Sequence, residues 1–127
     1  MIFRSEIKKA KSKAKSFFTE HKKLGKKSRI YKISKDILRT DNFIIDYNTS
    51  FRCLNNINFV YDPINQHWAE TDGKGIELNT WKTFTDKLLT DTLIHEALHG
   101  IVLRDSKHTI PEEKEHRIME LFDPDLI

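Results

Sequence analysis

The chain has 127 residues, 38% of them hydrophobic and 10% aromatic, which is the composition of a globular protein long enough for one domain. No apolar run approaches the roughly 18 residues that span a bilayer, so the sequence excludes a membrane-spanning helix. The formal net charge of +3 is unevenly distributed, because residues 1–35 carry 13 Lys and Arg against 2 acidic residues, whereas residues 36–127 carry 9 against 17. We therefore predict a basic helical arm at 1–35 and one compact acidic domain at 36–127.

Cysteine content bears on the compartment and on the kind of metal site. Cys53 is the only cysteine, so the chain cannot form an internal disulfide bond or a cysteine-rich zinc site. We interpret it as a small core residue rather than a nucleophile. The N-terminus is basic but lacks the apolar segment and small-residue cleavage site of a secretion signal. These features predict an intracellular protein in a reducing compartment.

Residues 3–23 predict a basic amphipathic helix that ends near Gly25. Its lysines occupy the faces outside one apolar stripe. Three interpretations stay open: a helix docked on the domain with a solvated lysine face, a contact with the phosphates of DNA or RNA, or attachment to an anionic membrane surface. The narrow stripe weakens the membrane interpretation. The stripe consists of Phe3, Ile7, Ala10, Ala14 and Phe17.

The middle of the chain predicts a small, mostly antiparallel sheet. Residues 26–40 form either a short helix or an extended lead-in, and the Asn-rich stretch at 48–56 predicts a loop. A short connection containing Asp72-Gly73 predicts a hairpin between the last two strands. The predicted strands are 42–46, 57–61, 67–71 and 75–79.

A long apolar helix is predicted at 86–103, with Thr85 or Asp86 as its N-cap. It contains the pattern H-E-x-x-H at His95–His99. For this composition about 0.02 chance occurrences of the pattern are expected, so the match is specific.

The spacing of the motif indicates a metal site. Residues four apart lie on one face of a helix, so His95 and His99 can direct their imidazoles to one point. Neutral imidazole binds zinc, and Glu96 lies close enough to act as a general base on water activated by Zn²⁺. The alternative is a pair of histidines that is solvated or hydrogen-bonded in the core.

A hydrolytic zinc site needs a third protein ligand. A second helix is predicted from Pro111 to about Phe122, ended by Asp123-Pro124. If Ile118 and Phe122 form its buried stripe, Glu115 shares their face, which makes it the preferred ligand. The alternatives are His116, then His108, Glu112 and Glu113, with Asp105 as an outside candidate.

The motif H-E-A-L-H at 95–99, the short strand before it and the helix bearing Glu and His after it resemble zincin metallopeptidases. The size is similar to that of minimal gluzincin-type enzymes, and the resemblance covers roughly residues 57–122. It implies a third zinc ligand on the downstream helix and a strand at Gly75–Asn79 that receives extended substrate at a sheet edge. The metzincin pattern is met only in part, since Val102 and Asp105 stand at its glycine and third-ligand positions. The placement of His108 is similar to that of the third histidine in SprT-like proteases, without the glycine-flanked context.

The expected fold class is therefore α+β: a zincin-like domain with a sheet packed on the motif helix, a second C-terminal helix and a basic N-terminal helix. The expected function is zinc-dependent peptide hydrolysis, localised on nucleic acid by residues 1–35. The alternative is a nucleic-acid-binding module with a structural or vestigial zinc site. A third and weaker hypothesis is a latent protease, in which the tail at 123–127 or the basic arm covers the cleft. Candidates for stabilising an oxyanion are Tyr61, His67, His108 and His116.

Overall fold

The computed structural model describes residues 4–82, 84–105 and 107–122. In these residues helices and small sheets form one layered arrangement, and the predicted α+β fold class is confirmed. No helix in the described ranges has the length and apolar content needed to cross a membrane. The helices are α1 (Arg4–Leu24), α2 (Arg29–Leu38), α3 (Tyr47–Asn55), α4 (Asp86–Leu98) and α5 (Glu112–Phe122). The strands are β1 (Ile44–Ile45), β2 (Ile57–Val60), β3 (Ala69–Thr71), β4 (Ile76–Asn79) and β5 (Val102–Leu103).

Helix α1 packs into the same core as the motif helix α4. Ala10, Ala14 and Phe18 are 3%, 0% and 1% exposed, at the spacing of one helical face. Of the predicted stripe, Ile7 and Phe17 are partly buried against this core, and Phe3 lies outside the described residues. The small alanines allow α1 to lie close to α4, so the basic segment contributes directly to the support of the motif.

The chain between α1 and the first strand is helical. Gly25, with φ of 55°, follows the last residue of α1, as predicted. Ser28 begins α2 by accepting a hydrogen bond from the backbone N–H of Tyr31 at 3.3 Å. Of the two predictions for residues 26–40, the short helix is therefore correct.

Helix α3 contradicts the prediction of a loop at 48–56. Asp46 caps this helix by accepting from the backbone N–H of Asn48 at 3.1 Å. Cys53 and Leu54 are both 0% exposed in the core. Because asparagine is a weak helix former, its abundance here indicated a loop, but burial of one face stabilises the helix.

The main sheet has the strand order β2-β4-β3, with β4 parallel to β2 and antiparallel to β3. The predicted hairpin is confirmed, and Asp72 supports its turn by accepting from the N–H groups of Lys74 and Gly75 at 2.8 and 3.0 Å. The prediction that Gly75–Asn79 is the edge strand is wrong, since β4 is paired on both sides. The strand beside the motif with a free edge is β3.

Helix α4 ends at Leu98, so the predicted extent of 86–103 is also wrong at its C-terminal end. The extended ψ of 130° at His99 ends the helix, Gly100 follows with φ of 77°, and Val102 and Leu103 form β5. They pair with Ile45 and Ile44 of β1 in a two-stranded antiparallel sheet. The N-terminal prediction is confirmed, since the Thr85 side chain accepts from the Leu88 N–H at 3.1 Å.

The contribution of α1 to the core can be measured with a pair of matched substitutions. Phe18→Ala removes a ring that is 1% exposed and is expected to lower the free energy of unfolding by roughly 3–5 kcal/mol. Phe59→Ala removes a ring that is 55% exposed on β2 and should change it by about 0.5 kcal/mol or less. Urea unfolding followed by circular dichroism measures both. Equal effects would contradict the packing of α1 in the core.

Candidate metal centre

The motif histidines converge at the end of α4. The Nε2 atoms of His95 and His99 are 3.3 Å apart, and their rings are nearly perpendicular. Two tetrahedral ligands that each lie roughly 2.0–2.1 Å from zinc are about 3.3 Å from one another. The two nitrogens therefore stand at the separation that a shared metal ion requires.

His95 is partly buried, and its Nε2 contacts the Nε2 of His99. Its Nδ1 is buried and has no hydrogen-bond partner in the described part of the chain. Desolvation, together with the nearby His99 and His116, lowers the pKa of His95 from 6.5 to about 4. The ring is consequently neutral near pH 7, which is the form that binds a metal. A buried polar atom without a partner is uncommon and is concentrated at functional sites.

His99 is oriented by a carboxylate on α5. Its Nδ1 donates to Glu115 Oε1 at 2.7 Å, and the second oxygen of Glu115 accepts from the Gly100 N–H at 3.2 Å. In the neutral form of His99 the proton is on Nδ1, and Nε2 keeps its lone pair, directed toward His95. Metal-binding histidines are commonly oriented by a carboxylate in this way.

The same contact couples the protonation of the two residues. The hydrogen bond from Glu115 raises the pKa of His99, although desolvation opposes this change. Burial alone would raise the pKa of Glu115, but the hydrogen bond and charge of His99 hold it below its ordinary value. Glu115 is therefore an anion at neutral pH, and it supports positive charge at the end of α4.

Two ligand candidates on α5, Glu115 and His116, differ in how exposed they are. Ile118 and Phe122 are buried as predicted, and Glu115 shares their face, with 15% of its side chain exposed. His116 is more exposed, but its ring centroid lies 5.8 Å from that of His99. One ligand atom from each of His99, Glu115 and His116 lies within 4.8 Å of the others. Both residues of α5 are thus close to the motif.

The remaining candidates do not join this cluster. His108 Nδ1 contacts both carboxylate oxygens of Asp105 at 2.8 Å, and both side chains are more than half exposed. Glu112 is exposed and lies 3.8 Å from the Nε2 of His116. Glu113 is exposed at the start of α5. In the described residues, the group whose ligand atoms all lie within 4.8 Å of one another is His99, Glu115 and His116, and it does not include His95. His95 contacts His99, and Glu96 lines the same cleft as both histidines.

Glu96 is a buried carboxyl beside the histidines. It is 8% exposed, and desolvation raises its pKa from 4.5 to about 7, with a further increase from the charge of Glu70 and an opposing effect from His99. A carboxyl with a pKa near neutrality can both accept and release a proton at working pH. These are the properties of a general base.

His95, Glu96, His99 and Glu115 line an open cleft of about 610 Å³ whose opposite wall is β3. The N–H of Asn79 donates to the Trp68 carbonyl at 3.0 Å, so these two residues form a hydrogen-bonded pair of the antiparallel ladder. Because such pairs alternate, the main-chain groups of Ala69 and Thr71 point away from β4. Within the described ranges, the cleft is thus bordered by a strand whose outward main-chain groups have no neighbouring strand.

Asn79 is a supporting residue that the sequence analysis missed. It is 2% exposed, and its amide nitrogen contacts the carbonyls of Asp62, Asn65 and His67 at 2.9–3.4 Å. It therefore holds the loop that brings His67 to the cleft. In the sequence Asn79 is only a polar residue at the end of an apolar strand, and an asparagine at such a position is equally typical of a turn.

The other candidates for oxyanion stabilisation lie in different places. His116 is near His99, whereas Tyr61 is 66% exposed and packs against Trp81. No residue of α1 is among those lining the cleft in the described part of the chain. The tail at 123–127, predicted to end the last helix and to cover the cleft in a latent form, lies outside the described residues.

Comparison of the chain with protein-family models, curated proteins and solved structures found no match. The resemblance to zincins therefore stays a prediction from the motif.

The buried state of Glu96 predicts a pH-dependent stability. In the metal-free protein, the carboxyl of Glu96 keeps its proton up to about pH 7, whereas in the unfolded chain it loses the proton near pH 4.5. The contribution of Glu96 to the free energy of unfolding is therefore fully present below about pH 4.5 and is lost as the pH rises through about 7. Glu96→Gln should therefore raise the free energy of unfolding by roughly 2–3 kcal/mol at about pH 8, and much less at about pH 4. Urea unfolding with a chelator present measures this difference.

Two comparisons make this test specific. The contribution of His95 to the free energy of unfolding has the opposite pH dependence, since it is lost as the pH falls from 6.5 through about 4. Parent and variant both contain His95, so this contribution cancels when the two are compared. Glu77→Gln, at an exposed site on β4, controls for the general effect of removing a carboxyl. A Glu96→Gln effect that is the same at both pH values would contradict the raised pKa.

Proposed function

We propose that this protein is a zinc-dependent peptidase. The observation that carries the proposal is the 3.3 Å separation of the two motif Nε2 atoms beside a buried glutamate. His95 is partly buried, and Glu115 orients the His99 ring. A solvated pair of histidines would need neither feature.

The donor set fits zinc. His95 and His99 would hold the ion through Nε2, and α5 would supply a third protein ligand, leaving one position open for a hydrolytic site. Glu115 is the ligand predicted from the sequence. To bind the ion it would have to release His99 Nδ1 or the Gly100 N–H, whereas His116 is exposed and makes only a 3.8 Å contact with Glu112. These contacts favour His116 as the ligand and Glu115 as the residue that orients His99.

Bound zinc would supply a Lewis acid that acidifies water and polarises a peptide carbonyl. Glu96 accepts the proton of the attacking water, for which its pKa near 7 is suitable, and returns it to the leaving amine. His67, which lines the cleft, would donate a hydrogen bond to the developing oxyanion.

The proposed substrate is a polypeptide in extended form. It would pair with the outward main-chain groups of Ala69 and Thr71, as an added strand on β3. Such pairing depends on the backbone and selects little for sequence. We place this activity inside the cell, since the free Cys53 is buried and the chain has no other cysteine.

The alternative class is a nucleic-acid-binding module with a structural or vestigial zinc. A structural zinc site usually has four protein ligands and no use for a buried carboxyl beside them. The position of Glu96 therefore favours the enzyme.

Glu96→Gln distinguishes the two classes. We expect the variant to retain about one zinc per chain by elemental mass spectrometry and to lose roughly 10²–10⁴-fold in the rate of cleavage of an unfolded protein substrate. His95→Ala should lose zinc and activity together. An active Glu96→Gln variant would contradict the peptidase mechanism, and inactivity of the zinc-loaded parent would favour the structural site.

The roles of Glu115 and His116 are separable by zinc affinity. If Glu115 orients His99, Glu115→Gln should weaken zinc binding by roughly 10–100-fold, whereas His116→Asn, which removes a ligand, should weaken it further. Calorimetry with Zn²⁺ and the visible spectrum of the Co²⁺ form measure affinity and ligand number. The reverse order of effects would restore Glu115 as the ligand. His108→Asn is the matched control and should leave both readouts unchanged.

A further inference from the structure

The N-terminal helix has two faces, of which the peptidase site uses neither directly. The face of Ala10, Ala14 and Phe18 is buried. The opposite face forms a shallow groove of about 560 Å³. The groove is lined by four lysines, three hydroxyl residues and one carboxylate: Lys8, Lys11, Lys15, Lys23, Ser12, Ser16, Thr19 and Glu20.

The lysines on this face have no ion-pair partner among the residues that the structure describes. Lys15 donates to the Asn55 side chain, which is uncharged. A cationic surface without carboxylate partners retains its charge for an external anion.

The burial of α1 argues against a membrane as that anion. Binding of an amphipathic helix to a membrane depends on an apolar face that enters the lipid. Here that face is already packed against α4, and Leu24 is the large apolar side chain of α1 that is mainly exposed, at 52%. Lysines interspersed with hydroxyl groups instead match the contacts that proteins make with nucleic-acid phosphates.

We propose that the lysine face of α1, defined by Lys8, Lys11, Lys15 and Lys23, binds the phosphate backbone of a nucleic acid. From Lys8 to Lys23 the helix spans about 22 Å, which is the rise of about six nucleotides along one strand. The face shares no residue with the lining of the cleft, so both can be occupied at once. This proposal does not rest on zinc or on peptidase activity.

Counterion release gives the proposal a quantitative test. Four phosphate contacts predict that log K falls with log salt with a slope of about −4 for duplex DNA and about −3 for single-stranded RNA. For the duplex, affinity should fall roughly 100-fold between about 50 and 200 mM salt. Fluorescence anisotropy of the full chain, with labelled oligonucleotides of about 20 nucleotides or base pairs, measures both slopes.

A matched pair of variants identifies the surface. Replacing Lys8, Lys11 and Lys23 by Gln leaves Lys15, with its contact to Asn55, in place, and should reduce the duplex slope to about −1. The control replaces three exposed lysines elsewhere, Lys74, Lys107 and Lys114, and removes the same charge. It should keep the slope near −4. His95→Ala should also bind as the parent does, which separates this proposal from the zinc site.

Three results would overturn the proposal. The first is an equal reduction of slope in the two triple variants. The second is equal binding to polyglutamate, which would indicate a general response to polyanions. The third is binding to vesicles containing phosphatidylserine without binding to either oligonucleotide, which would identify a membrane as the partner.

Discussion

The contact between the Glu115 carboxylate and the end of α4 is the interaction on which the site depends. One oxygen orients the His99 ring, and the other accepts a hydrogen bond from the N–H of Gly100, two residues after the last residue of the helix. His99 has a helical φ of −62°, so its Cβ follows the helical repeat from His95, whereas its ψ of 130° turns the chain away after it. Glu115, 16 positions later, fixes the orientation of the ring.

The position of α4 in the core gives the motif its chemical character. Leu93 and Ala97 are 0% exposed, and α1 and α3 pack against this helix. Burial removes water from Glu96 and His95 and moves their pKa values to about 7 and 4, so that the carboxyl can exchange a proton near neutrality while the imidazole stays unprotonated. The free energy that this costs is offset by the surrounding apolar contacts.

Helix α1 joins the two proposed activities in one element. Its alanine face allows close packing on the motif helix, and its lysines project on the other side. Losing α1 would therefore expose the core as well as remove the basic surface. For this reason the tests of the basic surface replace lysines and do not truncate the chain.

The sequence by itself determined the features that depend on neighbouring residues: the motif, a helix start at Thr85 or Asp86, the hairpin turn and the inward face of α5 that carries Glu115. Local rules are sufficient there because the partners lie within a few positions of one another. Tertiary structure alone decided the helix at α3, the end of α4, the position of β3 at the sheet edge and the partner of Glu115. Each of these depends on contacts between distant parts of the chain, such as the pairing of Ile44 with Leu103, which no local pattern specifies.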